Sequence, residues 1–166
     1  MRAAAAGALA AAALAACGDQ PPERAADGRI GGRVLAVSDG DTIRVRLASG
    51  QVERVRYIGV DTPETDKPSA PAECYAERAR AFNERLVGDR DVVLELDVEQ
   101  RDRYGRLLAY VRAGRALVNA ELLRAGYAVP LVVPPNVRFE RRFRQLARAA
   151  RRDGDGLWAA CARQGS

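Results

Sequence analysis

Three short segments of this 166-residue chain carry side chains suited to chemistry on a charged oxyanion. They are Asp39-Gly40-Asp41-Thr42, the run from Arg56 to Glu64, and Asp102-Arg103-Tyr104-Gly105-Arg106. Carboxylate and carbonyl oxygens are the ligands of hard divalent cations, and Asp41 and Asp61 are the natural pair for one. The guanidinium forks of Arg56 and Arg106 match paired phosphate oxygens and stay charged at any working pH. A phosphodiester is negative and repels hydroxide. Cutting one therefore requires charge neutralisation, a positioned water and stabilisation of the extra charge on a pentacoordinate transition state. Glu64 is the candidate general base, or the group that orients the water.

Histidine is absent, which removes Ser-His and Cys-His catalysis, histidine general bases and nearly all zinc sites. Each segment also has a plain structural reading. Asp-Gly is a common turn, Asp-Thr-Pro-Glu suits a loop before a helix, and Tyr-Gly-Arg can be a turn with a solvated arginine. Their joint presence favours chemistry, because phosphodiester cleavage without histidine needs these residue types together.

In this order and spacing the segments resemble the thermonuclease (staphylococcal nuclease-like) family. The similarity continues through Val118-Asn119 with Leu122 and Gly126, Pro135-Asn136, and Gly156-Leu157-Trp158, covering about residues 31 to 161. The resemblance implies an OB-fold barrel and a Ca²⁺ ion held by Asp41, Asp61 and the backbone carbonyl of Thr62, with Asp39 as a secondary ligand. It also implies Arg56 and Arg106 on the phosphate under attack, and Arg103 and Tyr104 on a neighbouring phosphate. The implied activity is hydrolysis of DNA, and of RNA as well, to 3′-phosphate ends. One position departs from the family pattern. An aromatic residue that stacks on a base is expected a few positions beyond Gly126, where this chain has Val132, with Tyr127 nearby at a different position. The departure bears on base preference and leaves the phosphate chemistry intact. The loop from Thr65 to Ala72 is neutral to acidic, with Lys67 as its single base.

The elements that must position these residues follow from hydrophobic spacing. Arg33 to Val37 is a short apolar run, and Thr42 to Leu47 alternates strictly, with Ile43, Val45 and Leu47 inward. Asp39-Gly40 and Ser49-Gly50 mark turns, the second leading into an extended run from Val52 to Val60. Tyr75, Ala79, Phe82 and Leu86 define a helix face that Gly88 ends. Asp91 to Asp97 and Leu107 to Val111 are two further strands. Asn119 is placed to cap a short helix ending at Gly126, and a last helix runs from about Val137 to Arg152 with Phe139, Phe143, Leu146 and Ala150 inward. Five strands with three helices predict a mainly β, α+β fold, a five-stranded OB-fold barrel.

Arg56 and Asp61 are five residues apart, so a straight strand would send them to opposite faces. They converge only if the chain bends, and Gly59 is the place for a bulge. The last helix also carries Arg138, Arg141, Arg142, Arg144, Arg148, Arg151 and Arg152. These form either a solvated face or a contact with nucleic acid or anionic lipid.

The net charge of +5 and pI near 9.5 favour a polyanionic partner. The dominance of arginine, with Lys67 the only lysine, also fits base-composition bias in the gene. At the N-terminus, Met1-Arg2 and the apolar run Ala3 to Ala16 are too short to span a bilayer but suit a secretory signal. Leu14-Ala15-Ala16-Cys17 resembles the bacterial lipobox, which implies cleavage before Cys17 and its acylation. An ordinary signal peptide with a nearby cysteine is the alternative. The expected organisation is a signal at residues 1–16, a polar tether at 17–29, one domain at 30–162 and a tail at 163–166. This describes an exported monomer, anchored through Cys17 to the extracytoplasmic face of a membrane, with no protein partner implied. Lipidation of Cys17 leaves Cys74 and Cys161 as an even pair in an oxidising compartment, which points to a disulfide. Chain entropy puts its contribution at roughly 4–5 kcal/mol; two free buried thiols are the alternative.

Two rivals to an enzyme remain. An OB-fold can bind single strands without cutting them, but a pure binder has no need of an acidic cluster that repels phosphate unless a cation is bound. A structural envelope lipoprotein explains the signal and none of the motifs.

Overall fold

The computed structural model describes residues 28–65 and 71–162. The signal, Cys17 and almost all of the tether lie outside the described residues, as does the loop segment 66–70. In chain order the first elements are β1 (Arg29–Asp39), β2 (Thr42–Leu47), β3 (Val52–Tyr57), β4 (Val60–Asp61) and α1 (Ala76–Val87). Next come β5 (Asp91–Glu95), β6 (Leu107–Ala113), β7 (Ala116–Leu117) and α2 (Val118–Arg124). The chain ends with β8 (Val129–Pro130), α3 (Glu140–Asp153) and α4 (Leu157–Ala160). Among the described residues, no helix is long and apolar enough to cross a membrane.

β1, β2 and β3 form an antiparallel meander. β3 then pairs in parallel with β6, β6 antiparallel with β5, and β5 antiparallel with β1. The sheet thus closes on itself as a five-stranded OB-fold barrel, which leaves no long open edge among these strands. β2 shows why the sequence folds this way: Ile43, Val45 and Leu47 are buried while Arg44 and Arg46 face out. β1 is longer than its apolar run suggested, beginning at Arg29 and serving two neighbours in turn. Gly32 sits where those two pairings overlap, and a Cβ there would lie 2.5 Å from Val45 Cγ1. Irregular register at Val34/Ala36 and Val37/Asp39 bends the strand around the barrel.

Tyr57, Tyr110, Phe143, Leu94, Leu107, Leu122 and Leu123 fill the interior. Phe139 meets Tyr110 edge-on at 4.7 Å between ring centres, which seats α3 on β6.

Several expectations are corrected. The run from Val52 to Val60 is not one strand: β3 ends at Tyr57, and β4 leaves the barrel to pair with β8. α1 begins at Ala76, and its fully buried face is Ala76, Ala79, Asn83 and Val87, with Phe82 and Leu86 only partly buried. Asn83 tolerates burial because both ends of its amide are paired. The Tyr57 hydroxyl donates to Asn83 Oδ1 at 2.9 Å, and Asn83 Nδ2 donates to the Asp39 carbonyl at 3.1 Å. Asn119 is not a cap. It lies within α2, buried, accepting from the Val111 N–H and donating to the Ile58 carbonyl, both at 2.9 Å. α3 starts at Glu140 rather than Val137, after a turn closed by the Glu140 N–H on the Val137 carbonyl. α4 is a fourth, single-turn helix, docked by the Leu157 N–H on the Gly126 carbonyl at 2.8 Å.

Cys74, just before α1, and Cys161, just after α4, have Sγ atoms 2.07 Å apart and Cα atoms 5.9 Å apart, across a sequence separation of 87.

Asn119→Ala should be costly, because it strands a buried N–H and a buried carbonyl together. At about 1–3 kcal/mol for each unsatisfied group, the unfolding free energy should fall by roughly 2–6 kcal/mol, measured by urea titration.

Candidate active site

The turn between β1 and β2 delivers Asp41 into the barrel mouth, where it is 4% exposed. Its Oδ2 accepts the Thr62 N–H at 2.8 Å and its Oδ1 accepts the Thr42 hydroxyl at 3.1 Å. Its backbone carbonyl accepts the Tyr57 N–H at 2.9 Å, fixing the turn to the end of β3. Gly40 is required here for space: a Cβ would sit 2.6 Å from Thr62 Oγ1.

The bend between β3 and β4 falls at Gly59, whose φ is +79°. Four contacts pin it. The Ile58 N–H donates to the Ala109 carbonyl, the Leu131 N–H donates to the Gly59 carbonyl, Asn119 Nδ2 donates to the Ile58 carbonyl, and the Phe143 ring packs against Gly59. A Cβ on Gly59 would approach that ring to 2.7 Å.

The bend brings Arg56 and Asp61 together, with Arg56 Nη2 2.6 Å from Asp61 Oδ1. Arg56 Nη1 also pairs with Asp41 Oδ2. One guanidinium, 13% exposed, therefore bridges the two carboxylates expected to hold a metal. Burial pushes the Arg56 pKa below its ordinary value; Asp61 opposes this and the nearby charge of Arg106 adds to it. Both Nη groups of Arg56 thus meet carboxylates, while the residue also lines the cleft.

Asp39 is partly buried and accepts the Gly40 N–H at 2.9 Å. Burial raises its pKa, and the charge of Glu64 raises it further against the opposing Gly40 N–H and Arg56. Glu64 thus faces the same cluster from the exposed loop after Pro63. Its backbone is clasped: the Glu64 N–H donates to Glu73 Oε2 and the Glu73 N–H donates to the Glu64 carbonyl, both at 3.0 Å. Glu73 adjoins Cys74, so the cystine and the clasp hold the far end of the loop that carries Glu64.

Arg106 is oriented by Asp102. The carboxylate accepts Arg106 Nε at 2.7 Å, the Arg106 N–H at 3.0 Å and the Tyr104 N–H at 2.9 Å. Burial alone would raise the Asp102 pKa, but the arginine and the two backbone donors outweigh it and hold the group below its usual range. Tyr104 stands out at 65% exposed, with the guanidinium carbons of Arg103 and Arg106 at 4.8 and 5.4 Å from its ring centre. Arg103 also donates to the Tyr104 hydroxyl at 2.6 Å.

Arg56, Arg106, Tyr104, Leu131 and Val133 line one cleft of about 520 Å³. Val132 does not line it. Its two neighbours do, because side chains on an extended segment alternate in direction.

Among the described residues, no three Asp, Glu, His or Cys side chains converge on one point. The donors beside Arg56 are nonetheless all oxygens, from Asp39, Asp41, Asp61 and Glu64. Their negative charge exceeds what Arg56 neutralises, and Thr62 Oγ1 is buried nearby without a hydrogen-bond partner. The set fits a hard divalent cation and not a soft one.

Sequence reasoning missed the supports Asn83 and Glu73 and the orienting role of Asp102, and it gave Asn119 as a cap rather than as the bridge between Val111 and Ile58. Asn83 left a signal, as a residue on the helix face spaced four from both Ala79 and Val87.

The chain matches the profile described as "Staphylococcal nuclease homologue" over residues 54–160. It is 39% identical to the thermonuclease of Staphylococcus hyicus over 127 residues, covering 76% of this chain and 75% of that protein. Against the thermonuclease of Staphylococcus intermedius the identity is 41% over 125 residues, covering 75% and 74%. Endonuclease YncB of Bacillus subtilis (strain 168) is 42% identical over 123 residues, covering 73% of this chain and 58% of that protein. A closed five-stranded barrel, an acidic cluster bridged by Arg56 at its mouth and these similarities lead to one assignment: the chain belongs to the staphylococcal nuclease homologue family.

Proposed function

We propose that this protein is a calcium-dependent endonuclease, anchored outside the cytoplasm, that hydrolyses DNA and RNA to 3′-phosphate ends. It is a phosphodiester-cleaving enzyme of its family. The observation that carries the finer reading is the pairing of Asp41 and Asp61 with Arg56, near Glu64, where Arg56 lines the same cleft as Arg106.

Asp41, Asp61 and the Thr62 carbonyl would hold the cation, with Asp39 close by. When bound, it supplies Lewis-acid stabilisation of charge on the phosphoryl oxygens. Arg106 has its Nε committed to Asp102, which fixes the plane of the guanidinium and leaves the Nη groups for a phosphate oxygen. Arg56 reaches the phosphate from the carboxylate side. Glu64 orients a water for in-line attack and takes its proton, while the bond from phosphorus to the 5′ oxygen breaks. Arg103 and Tyr104 hold the adjoining phosphate. Leu131 and Val133 give bases an aliphatic wall and little to discriminate by.

The DNA and RNA specificity is checked by a zymogram on both substrates with calcium, magnesium and EDTA lanes. Wild type that binds DNA but shows no calcium-stimulated cleavage would hand the function to a non-catalytic OB-fold binding module.

Glu64→Ala and Arg106→Ala should each lower turnover by about 10²–10³, the usual loss for one preorganised transition-state group, with little change in melting temperature. Asp61→Ala should instead move the calcium dependence to higher concentration. Initial rates against calcium concentration, with thermal melts as the folding control, check all three.

Arg56→Gln should separate binding from catalysis. The guanidinium competes with a cation for Asp41 and Asp61, so calcium affinity by titration calorimetry should rise severalfold while turnover falls. Weaker calcium binding in this variant would contradict the shared-carboxylate reading.

The mature protein should partition with membranes through acylated Cys17, with two or more chains for stable anchoring. Cys17→Ala should leave it soluble or unprocessed. Recovery of wild type as a free soluble species with an unmodified N-terminus would overturn the anchoring.

A further inference from the structure

α3 buries Phe143, Ala147 and Ala150 against the barrel. One step around the helix lie Arg144, Arg148 and Arg151, spaced four and three, which places them on one face. Together with Ala147, Pro130 and Trp158 they line a recess of about 270 Å³, distinct from the catalytic cleft. Its floor is apolar and its rim cationic. Arg148 makes no ion pair with a described residue, Arg144 has only the exposed Glu140 pair at 2.9 Å, and the Arg151 guanidinium rests 5.3 Å from the centre of the Trp158 ring. Trp158 Nε1 is a buried donor with no acceptor among the described residues.

The recess is one residue step from the active cleft. Pro130 lines it, and the next residue, Leu131, lines the cleft. β8, through Pro130 and Val129, is paired with Val60 and Asp61 of β4, so the ribbon separating the two depressions also carries Asp61.

We propose that Arg144, Arg148 and Arg151, with Trp158, form a second phosphate-binding site that grips the nucleic-acid strand beyond the cleft. The inference rests on the nuclease reading above and adds a substrate-length preference to it. Three forked cations at helical spacing suit successive phosphates, and an aromatic and aliphatic floor accepts a sugar or base without reading sequence. A membrane is the less favoured occupant. Surface helices that dock on lipid present apolar side chains to the acyl region, yet none of the exposed large hydrophobic residues among those described lies on α3 or α4. Leu131 and Val133, which are exposed, lie on the cleft side.

The test uses the mature polypeptide without acylation at Cys17, wild type against R144Q/R148Q/R151Q, with a fluorescent 20-nucleotide oligothymidylate and a dinucleotide substrate. Anisotropy in EDTA reads binding without cleavage. The variant should bind the 20-mer at least tenfold more weakly. The slope of log affinity against log salt should shrink by about 2, as expected for three phosphate contacts on a single strand. Calcium-dependent cleavage of the dinucleotide should stay within twofold of wild type. Because Arg151 packs on Trp158, R148Q serves as a variant that disturbs no described contact, and it should remove about 0.7 from the same slope. Unchanged 20-mer affinity in both variants would overturn the proposal. So would an equal loss on the dinucleotide, or loss of binding to phosphatidylglycerol vesicles with oligonucleotide binding intact. Wild type that binds the 20-mer in this way but cuts neither substrate would defeat the nuclease reading and leave the binding site standing.

Discussion

A buried carboxylate must be paired, and at Asp41 the partner is Arg56. Leaving an ionised group at 4% exposure without compensation is strongly destabilising, so the chain has to bring a cation to it and hold that cation still. Arg56 meets this need only because the chain reverses at Gly59 and returns Asp61 to the other side of the same guanidinium. The reversal in turn depends on packing from distant elements. Phe143 of α3 occupies the space where any larger residue 59 would have a side chain, and Asn119 of α2 takes up the Ile58 carbonyl that the bend leaves without a strand partner. Barrel closure, the placement of α2 and α3, and the geometry of the acidic cluster are therefore one coupled problem.

The same arrangement explains how a cluster of four acidic groups can face a polyanion. Without a cation, Asp39, Asp41, Asp61 and Glu64 repel phosphate, and Arg56 is held among them as an internal counter-ion. A divalent ion held by those oxygens would offset that negative charge and compete with Arg56 for Asp41 and Asp61. Arg106 is outside that competition, because Asp102 holds it through Nε and the backbone while its outer donors face the cleft. The two arginines thus differ in kind: Arg56 is held between two carboxylates through its Nη groups, whereas Arg106 is held by one through Nε.

Much of this was readable from residue types. The alternation in β2, the carboxylates and arginines of the three motifs, and the need for a bend near Gly59 all follow from local pattern. What local pattern could not supply was the partner of a buried polar group. Asn119 has the look of a helix cap because it precedes apolar residues, yet its amide is satisfied by residues 8 and 61 positions away. Asn83 likewise reaches across 26 and 44 residues. Gly31-Gly32 obscured the first half of β1, since only the crowding at Val45 explains a glycine in a strand there. Leu131 and Val133 line the cleft while Val132 between them does not, a difference that residue type alone could not show on an extended segment.

The central claim is that the Asp41–Asp61 cluster is a cation site built into the fold. Thermal unfolding of the wild-type protein over a series of calcium concentrations tests it without reference to turnover. A ligand that binds only the folded state adds RT ln(1 + [L]/Kd) to stability. The melting temperature should therefore climb steadily with the logarithm of calcium concentration, and the climb should vanish in Asp41→Asn/Asp61→Asn. A melting temperature indifferent to calcium in the wild type, together with cleavage that persists in EDTA, would contradict the account.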